Sequence, residues 1–452
     1  MMPISCSQPD LESGSSSHGP KSWSIAATGD LLGDFIDSVD TDTLELWDLV
    51  RSADHAFFNM EGQVFRDAEF DGYPASENGA DNGWGGVGWG PTYNPDQAHL
   101  LASAGFNLAS LANNHAWDYE VLGMMTTRKN LRDASIHSAG CGLSLAEAQQ
   151  ATYADRNGVH LALVCAAGSH TPQSVAGPGD EAAFLQPRPG VNVIRAKPVT
   201  VLNERDFSAI RNIAVAQGQS LAELVTDITL HTGQHPLFWS QWRCDQTIDS
   251  PRLFWDINQS DLDRVTASIR EAKAKSDGVI FSFHAHESES GAADASVPLP
   301  PVSTVPASYV VTTSKAAVDA GASAVLVHGP HHLRGIEIYE GRPIFYGVGH
   351  LTYSLGRSFR GYELPIEWDD GIIASINFTA GALSSITLQP TIHSQLSDSE
   401  TKLKSDAMPK IAPVNEAQRI LEHLRKVSIQ FGTVIKIEHR GKTCIGVVEL
   451  RT

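Results

Sequence analysis

Residues 321–354 run GASAVLVHGPHHLRGIEIYEGRPIFYGVGHLTYS. The four apolar residues Ala324–Val327 break into His328-Gly329-Pro330-His331-His332. A short apolar run bounded by Gly and Pro reads as a buried strand whose C-terminal end delivers imidazoles to a loop. Three histidines in five residues, on a backbone fixed by Gly and Pro, can aim two ring nitrogens at one ion, because neutral imidazole is a common ligand for Zn, Mn or Fe. Such clusters also occur in solvated or capping loops. A metal reading therefore requires carboxylates and further histidines at other strand ends.

The same grammar recurs toward the N-terminus. Ser24–Thr28 reads as a short apolar strand stopping at Gly29-Asp30, and His55–Phe58 as a second, after a helix over Leu44–Val50, stopping at Asn59-Met60-Glu61-Gly62. Two carboxylates thus stand at two strand ends. After a helix over Pro95–Ala104, the Leu108–Leu111 strand gives way to Ala112-Asn113-Asn114-His115, with Asp118 following. Asn, His and Asp at this spacing offer a neutral oxygen ligand, a proton donor and a carboxylate to orient it. A helix over Val121–Asp133 and strands at His137–Ala139 and His160–Ala166 continue the βα alternation. Past a helix over Asp261–Ala274, the Gly278–Phe283 strand delivers His284-Ala285-His286-Glu287. A bend at that strand end separates alternate histidines, so one of the pair is expected to miss the site, and His284 is the one favoured. A helix over Val305–Ala320 then leads back to the opening stretch, whose next strand is Pro343–Tyr346.

Composition bounds the partners. A formal charge of −19 excludes a nucleic-acid backbone as the main partner, since such binding needs a basic face, while a locally positive metal site can still attract an anionic substrate. Cys6, Cys141, Cys165, Cys244 and Cys444 are odd in number and never form a CxxC pair, so neither a disulfide framework nor a zinc knuckle is indicated. Residues 1–21 are rich in Ser, Gly and Pro, without a signal-peptide pattern, and read as a disordered lead-in. No apolar run is long enough to span a bilayer, so the expectation is a cytoplasmic protein.

The βα rhythm breaks at about 169–264, read as an insertion with a helix over Glu204–Gln217. Its Trp239, Trp242 and Trp255, with Arg195, Arg243 and Arg252, can stack on and neutralise a substrate, or the tryptophans can form a small satellite core. The Gly-rich Asn78–Gly90, with Trp84 and Trp89, reads as a long surface loop. From Ile372 an antiparallel pair is expected, closing the main domain, 22–390. Residues 391–452 are read as a linker, a helix over Glu416–Arg425 and two strands near Val434 and Val447, packing on the core.

In this order the strand-end groups resemble the capsule-synthesis protein CapA family of the calcineurin-like metallophosphoesterase superfamily. The resemblance covers Trp23–Ser354, with an echo in Phe431-Gly432-Thr433. Thr28-Gly29-Asp30 looks like the family's first Gly-Asp, Asn59-Met60-Glu61 like its Asn-Leu-Glu, and Asn113-Asn114-His115 with Asp118 like its Asn-Asn-His…Asp. Phe283–Glu287 resembles His-Trp-Gly-x-Glu, His328–His331 resembles Gly-His-x-Pro-His, and Tyr346–His350 resembles Tyr-Ser-Leu-Gly-Asn. Three positions depart. Ala285-His286 stands for Trp-Gly with the Glu one residue early, Val327 replaces the Gly before the first loop His, and His350 replaces the final Asn. The superfamily's usual Asp-x-His is Asp30-Leu31-Leu32, which thins the shell of one ion.

The resemblance implies an α/β, four-layer αββα sandwich of two mixed β-sheets with metal-binding loops at one edge. It implies Asp30, Glu61, Asn114, His284, His328 and His331 as ligands of one or two divalent ions (Mn, Fe or Zn), Glu61 bridging if two are held. By the same likeness His115 protonates the leaving group and Asp118 holds its tautomer. The activity expected is a soluble hydrolase using a metal-bound hydroxide on a phosphoester or an amide, with a γ-glutamyl or other acidic substrate, small or oligomeric. The alternatives are a non-hydrolytic accessory factor in poly-γ-glutamate or capsule polymer biosynthesis, which would favour a membrane anchor, and a metal-stabilised binding protein.

Overall fold

The computed structural model describes residues 21–33, 41–72, 91–218, 220, 227–231, 239–289, 303–353, 358–359, 362–363, 365–393 and 408–450. The N-terminal lead-in up to residue 20 with Cys6, the Gly-rich loop with Trp84 and Trp89, and residues 394–407 of the linker lie outside them.

Period-2 alternation along the strands sorts apolar side chains to two faces. In the Trp23–Leu32 strand Ile25 and Ala27 enter an inner core and Ala26 an outer one; in His55–Asn59, Phe57 goes inward and Ala56 and Phe58 outward. The partner sheet does the same. Leu161, Leu163, Ile280, Ala324 and Leu326 join that inner core, while Ala162, Val164, Val279, Phe281, Val325 and Val327 face a third cluster. Strands apolar on both faces must be covered on both. Helices Thr41–Ser52, Asp96–Ala104 and Glu120–Asp133 cover one sheet through Trp47, Leu101 and Met124. Helices Gln259–Lys275 and Ser308–Asp319 cover the other through Val265, Ile269 and Val310. The fold is thus an αββα sandwich, as expected.

Among the described residues the larger of the two main sheets has ten strands and the smaller six, and both are mixed. In the larger, Trp23–Leu32, His55–Asn59, Leu108–Ser110 and His137–Ala139 run parallel, and Asp370–Thr379 and Ala382–His393 continue antiparallel. In the smaller, Val159–Ala167, Gly278–His284 and Ala324–His328 are parallel, with His284 opposite His328. The C-terminal ends of both parallel sets meet at one edge of the sandwich, where the loops carry the polar residues.

The expected helix at Val305 begins instead at Ser308, because Pro306 biases the residue before it away from helical geometry. Residues 196–257 include a four-stranded sheet and the Glu204–Ala216 helix, around a small core of Leu202, Phe207 and Ala214 against Trp242. Trp255 is buried beside Tyr309, with ring centroids 5.1 Å apart. Those two tryptophans are therefore packing groups. The Val414–Ser428 helix sends Ile420, Leu421 and Leu424 into the inner core, and the Ile435–Arg440 and Thr443–Val448 hairpin extends the larger sheet through Thr387 opposite Val447. Among the described residues no helix is long and apolar enough to cross a membrane.

Candidate metal centre

Asp30 is fully buried within the first strand, which runs on through Leu31 and Leu32 rather than stopping at Gly29-Asp30 as expected. Its Oδ1 accepts from Asn59 Nδ2 at 2.8 Å and its Oδ2 from the Gly329 N–H at 3.0 Å, so one carboxylate ties the ends of both sheets. His331 Nδ1 lies 3.3 Å from Oδ2 and His328 Nδ1 3.7 Å from Oδ1. Burial alone would raise this carboxyl, but the hydrogen bond from His331 and the imidazoles of His331, His328 and His350 hold it below the ordinary carboxylate range.

Glu61 is the second carboxylate. Its Oε1 lies 3.6 Å from His284 Nε2, 3.8 Å from His286 Nε2 and 3.7 Å from His331 Nε2. Two donors each about 2.1 Å from one ion at a tetrahedral angle lie about 3.4 Å apart, so this spacing is that of a ligand set. Asn114 Oδ1 stands 2.7 Å from His284 Nε2. The six residues expected as ligands are thus gathered at one place.

Three candidate ion positions overlap: Asp30, His284 and His328; Asp30, His331 and His350; and Glu61, His286 and His331. Burial and mutual repulsion push His284 and His286 well below the usual imidazole range, and burial takes His328 down to about 4. The rings are therefore neutral at pH 7 and offer lone pairs. His331 Nδ1 is buried 3.3 Å from Asp30 Oδ2 without a well-aligned hydrogen bond, a spacing that two donors to one ion would show. Mixed oxygen and imidazole donors suit Mn, Fe or Zn.

His286 corrects the expectation that one of the pair would miss the site. The strand stops at His284, and the chain then bends so that His286 Nε2 comes within 2.7 Å of His284 Nε2. Gly329 makes room, since a Cβ there would lie 2.6 Å from His286 Cδ2 and 2.9 Å from His284 Cε1. A buried brace holds the bend. The His286 N–H donates to Ser169 Oγ at 2.8 Å, and Arg334 donates to the His286 and Glu287 carbonyls at 2.8 and 2.9 Å. Tyr309 and Ser169 hydroxyls donate to the Glu287 carboxylate at 2.6 and 2.9 Å. Sequence reasoning missed Arg334 and Tyr309, which carry no motif, and Asn59, which was seen only as a neighbour of Glu61. His350 was seen only as a departure.

Beside the cluster, His115 Nδ1 stands 2.7 Å from Asp118 Oδ2. Asn113 Oδ1 accepts from the His115 N–H at 3.1 Å, and Gln63 Nε2 donates to the His115 carbonyl at 3.0 Å, fixing the loop on both sides. Two of the arginines singled out in the insertion pair away from the cluster. Arg195 makes a two-point contact with Asp261 at 2.6 and 2.9 Å, and Arg252 reaches Asp245 at 3.1 Å.

Parallel-strand ends of a mixed α/β, αββα sandwich that gather carboxylates and neutral imidazoles define an α/β protein with a candidate metal centre at one edge. The chain belongs to the family described as bacterial capsule synthesis protein PGA_cap, which matches residues 24–353 and is the CapA family of the resemblance. It is 29% identical over 447 residues to an uncharacterized protein of Sinorhizobium fredii, covering 90% of this chain and 88% of that one. It is 27% identical over 261 residues to a probable polyglutamine synthesis accessory protein of Mycobacterium tuberculosis, covering 57% of this chain and 48% of that one. Among solved structures it is similar to a hypothetical protein from Thermus thermophilus, at TM-score 0.34 and 13% identity over 81% of this chain and 98% of that one. A novel phosphatase from Mycoplasma pneumoniae gives TM-score 0.36 and 10% identity over 82% and 94%. Likeness at these TM-scores leaves the chemistry to the residues themselves.

Proposed function

We propose that the chain is a metal-dependent hydrolase of a phosphoester or an amide, with a γ-glutamyl or similarly acidic substrate. The observation that carries this reading is the placement of the His115–Asp118 pair beside the neutral imidazole cluster around Glu61. Asp30, Glu61, Asn114, His284, His286, His328 and His331 are the residues that would hold one or two divalent ions. When bound, such ions supply a water acidic enough to ionise near neutral pH and a positive clamp for an anionic substrate.

The rest is done by the chain's own groups. A carboxylate only accepts, so Asp118 accepts a hydrogen bond from His115 Nδ1–H and orients the ring, and the proton that the protonated ring would give a departing oxygen or nitrogen is the one on Nε2. Asn113 and Gln63 fix the backbone of His115 from both sides. A second reading, an accessory factor in polymer synthesis without turnover, is favoured by the name of the mycobacterial relative.

Metal analysis of purified protein, followed by a screen of phosphoesters and γ-glutamyl amides with each metal restored, tests the proposal. Metal-restored turnover of either class supports it. Bound metal without turnover on any of them favours the accessory reading, and no bound metal ends both the hydrolase and the metal-centre readings.

A further inference from the structure

His350 opens the His350–Tyr353 strand, which runs parallel to the first strand with Asp30 opposite His350. The register is set by close backbone approach. The Asp30 N–H donates to the Gly349 carbonyl at 3.0 Å, and a Cβ on Gly29 would lie 1.8 Å from that same oxygen. Only glycine at position 29 lets the strands come this near. The carboxylate and the imidazole are therefore neighbours by construction of the sheet.

The ring is 1% exposed, and neither of its nitrogens has a well-aligned hydrogen-bond partner, although the Trp368 backbone is near enough to act on it. Leaving buried polar atoms unpaired costs about 1–3 kcal/mol each, so a histidine used only for packing would be a poor choice here. Its faces are occupied, stacked on His331 at 5.0 Å and on Tyr353 at 4.2 Å between centroids, so the nitrogens can act only at the ring edge. A ring nitrogen of His350, one of His331 and an oxygen of Asp30 lie within 4.8 Å of one another. The first strand supplies no other donor, because Leu31 and Leu32 beyond Asp30 are buried apolar residues.

We propose that His350, with Asp30 and His331, completes a second divalent-ion position adjoining the one that Asp30, His284 and His328 serve, with Asp30 common to both. The inference rests on the reading of this site as a metal centre. It assigns His350 the role of a ligand, where a packing histidine would leave metal binding untouched.

The test uses the full chain, stripped with a chelator and titrated with Mn²⁺ or Zn²⁺ alone by calorimetry, with stoichiometry checked by elemental analysis. His350→Phe keeps the stack on His331 and Tyr353 and removes both nitrogens. The wild type is expected to bind two ions, and His350→Phe to bind one, with affinity for the other reduced more than about 100-fold, beyond what loss of a mere support for a ligand costs. His284→Phe should weaken the opposite ion and spare this one. If His350→Phe lowers the melting temperature of the stripped chain, His350→Gln takes its place in the same titration. Two ions bound with unchanged affinities in the variant, or a single wild-type ion that the variant retains, overturns the inference and leaves the metal centre standing. No binding by the wild type overturns both.

Discussion

His115 Nδ1 lies 2.7 Å from Asp118 Oδ2, and both side chains are buried next to the imidazole cluster. An imidazole held in this way is poised to give up the proton on its other nitrogen. His115→Ala should therefore keep its metal and lose about 10²- to 10⁴-fold in kcat on substrates with poor leaving groups. A nitrophenolate leaving group needs little protonation, so the loss on that substrate should be far smaller. Asp118→Asn should follow the same pattern more mildly. Equal losses on both substrate types, or metal loss in His115→Ala, would remove the proton-transfer role.

Metal content should rank the proposed ligands. Glu61 Oε1 stands among three imidazole nitrogens, and His328 Nδ1 faces Asp30 while its Nε2 is 2.5 Å from Ser282 Oγ. Glu61→Ala and His328→Ala should each bind less metal than the wild type after dialysis. Ser282→Ala removes only the group that orients His328 and should cost about 10- to 100-fold in affinity without abolishing binding. A Ser282 effect as large as that of His328 would contradict this order.

Away from the centre, His55 offers a pH dependence that needs no metal. Its Nδ1 accepts from Asn107 at 3.0 Å and its Nε2 donates to the Val159 carbonyl at 3.3 Å, and burial takes the ring from 6.5 down to about 4. Between those values the unfolded chain binds a proton that the folded chain does not, so stability falls as the pH falls. The contribution is fully present above pH 6.5, drains between 6.5 and 4, and amounts to at most about 3 kcal/mol. Urea unfolding of chelator-stripped protein should show a lower midpoint at pH 4.5 than at pH 7. His55→Gln should lose less between the two pH values, and an unchanged difference would refute the assignment.

Much of the sandwich was legible because its strands are short apolar runs stopped by Gly, Asp, Asn or His, a pattern that fixes both strand and loop. The same pattern put Asp30, Glu61 and His284 at strand ends, while the choice of Asn114 and of His328 with His331 came from the resemblance to the CapA family. His286 could not be singled out, because whether alternate histidines converge depends on a bend held by Ser169 and Arg334, which are distant in sequence. His350 was hidden by its strand, which pairs across more than 300 residues with Asp30 and has no apolar run of its own to announce it. The Arg195 pairing with Asp261 was equally out of reach, since a charge shows its sign in sequence and its partner only in space.

The bend at His286 is also where backbone sterics and metal chemistry can be separated. Gly329 sits at φ +105°, and a Cβ there would press on His286 Cδ2 at 2.6 Å and His284 Cε1 at 2.9 Å. Gly341 has φ +69° with open space around its missing Cβ, so Gly341→Ala pays the left-handed strain, about 1–2 kcal/mol, and nothing else. Gly329→Ala should pay a similar strain in the stripped protein and must in addition displace two imidazoles. The expected outcome is a larger loss of stability in Gly329→Ala than in Gly341→Ala without metal, and weakened Mn²⁺ or Zn²⁺ binding, by about 10-fold or more, only in Gly329→Ala. Equal metal affinities in the two variants would mean that the His284 and His286 rings are not held as donors by this loop.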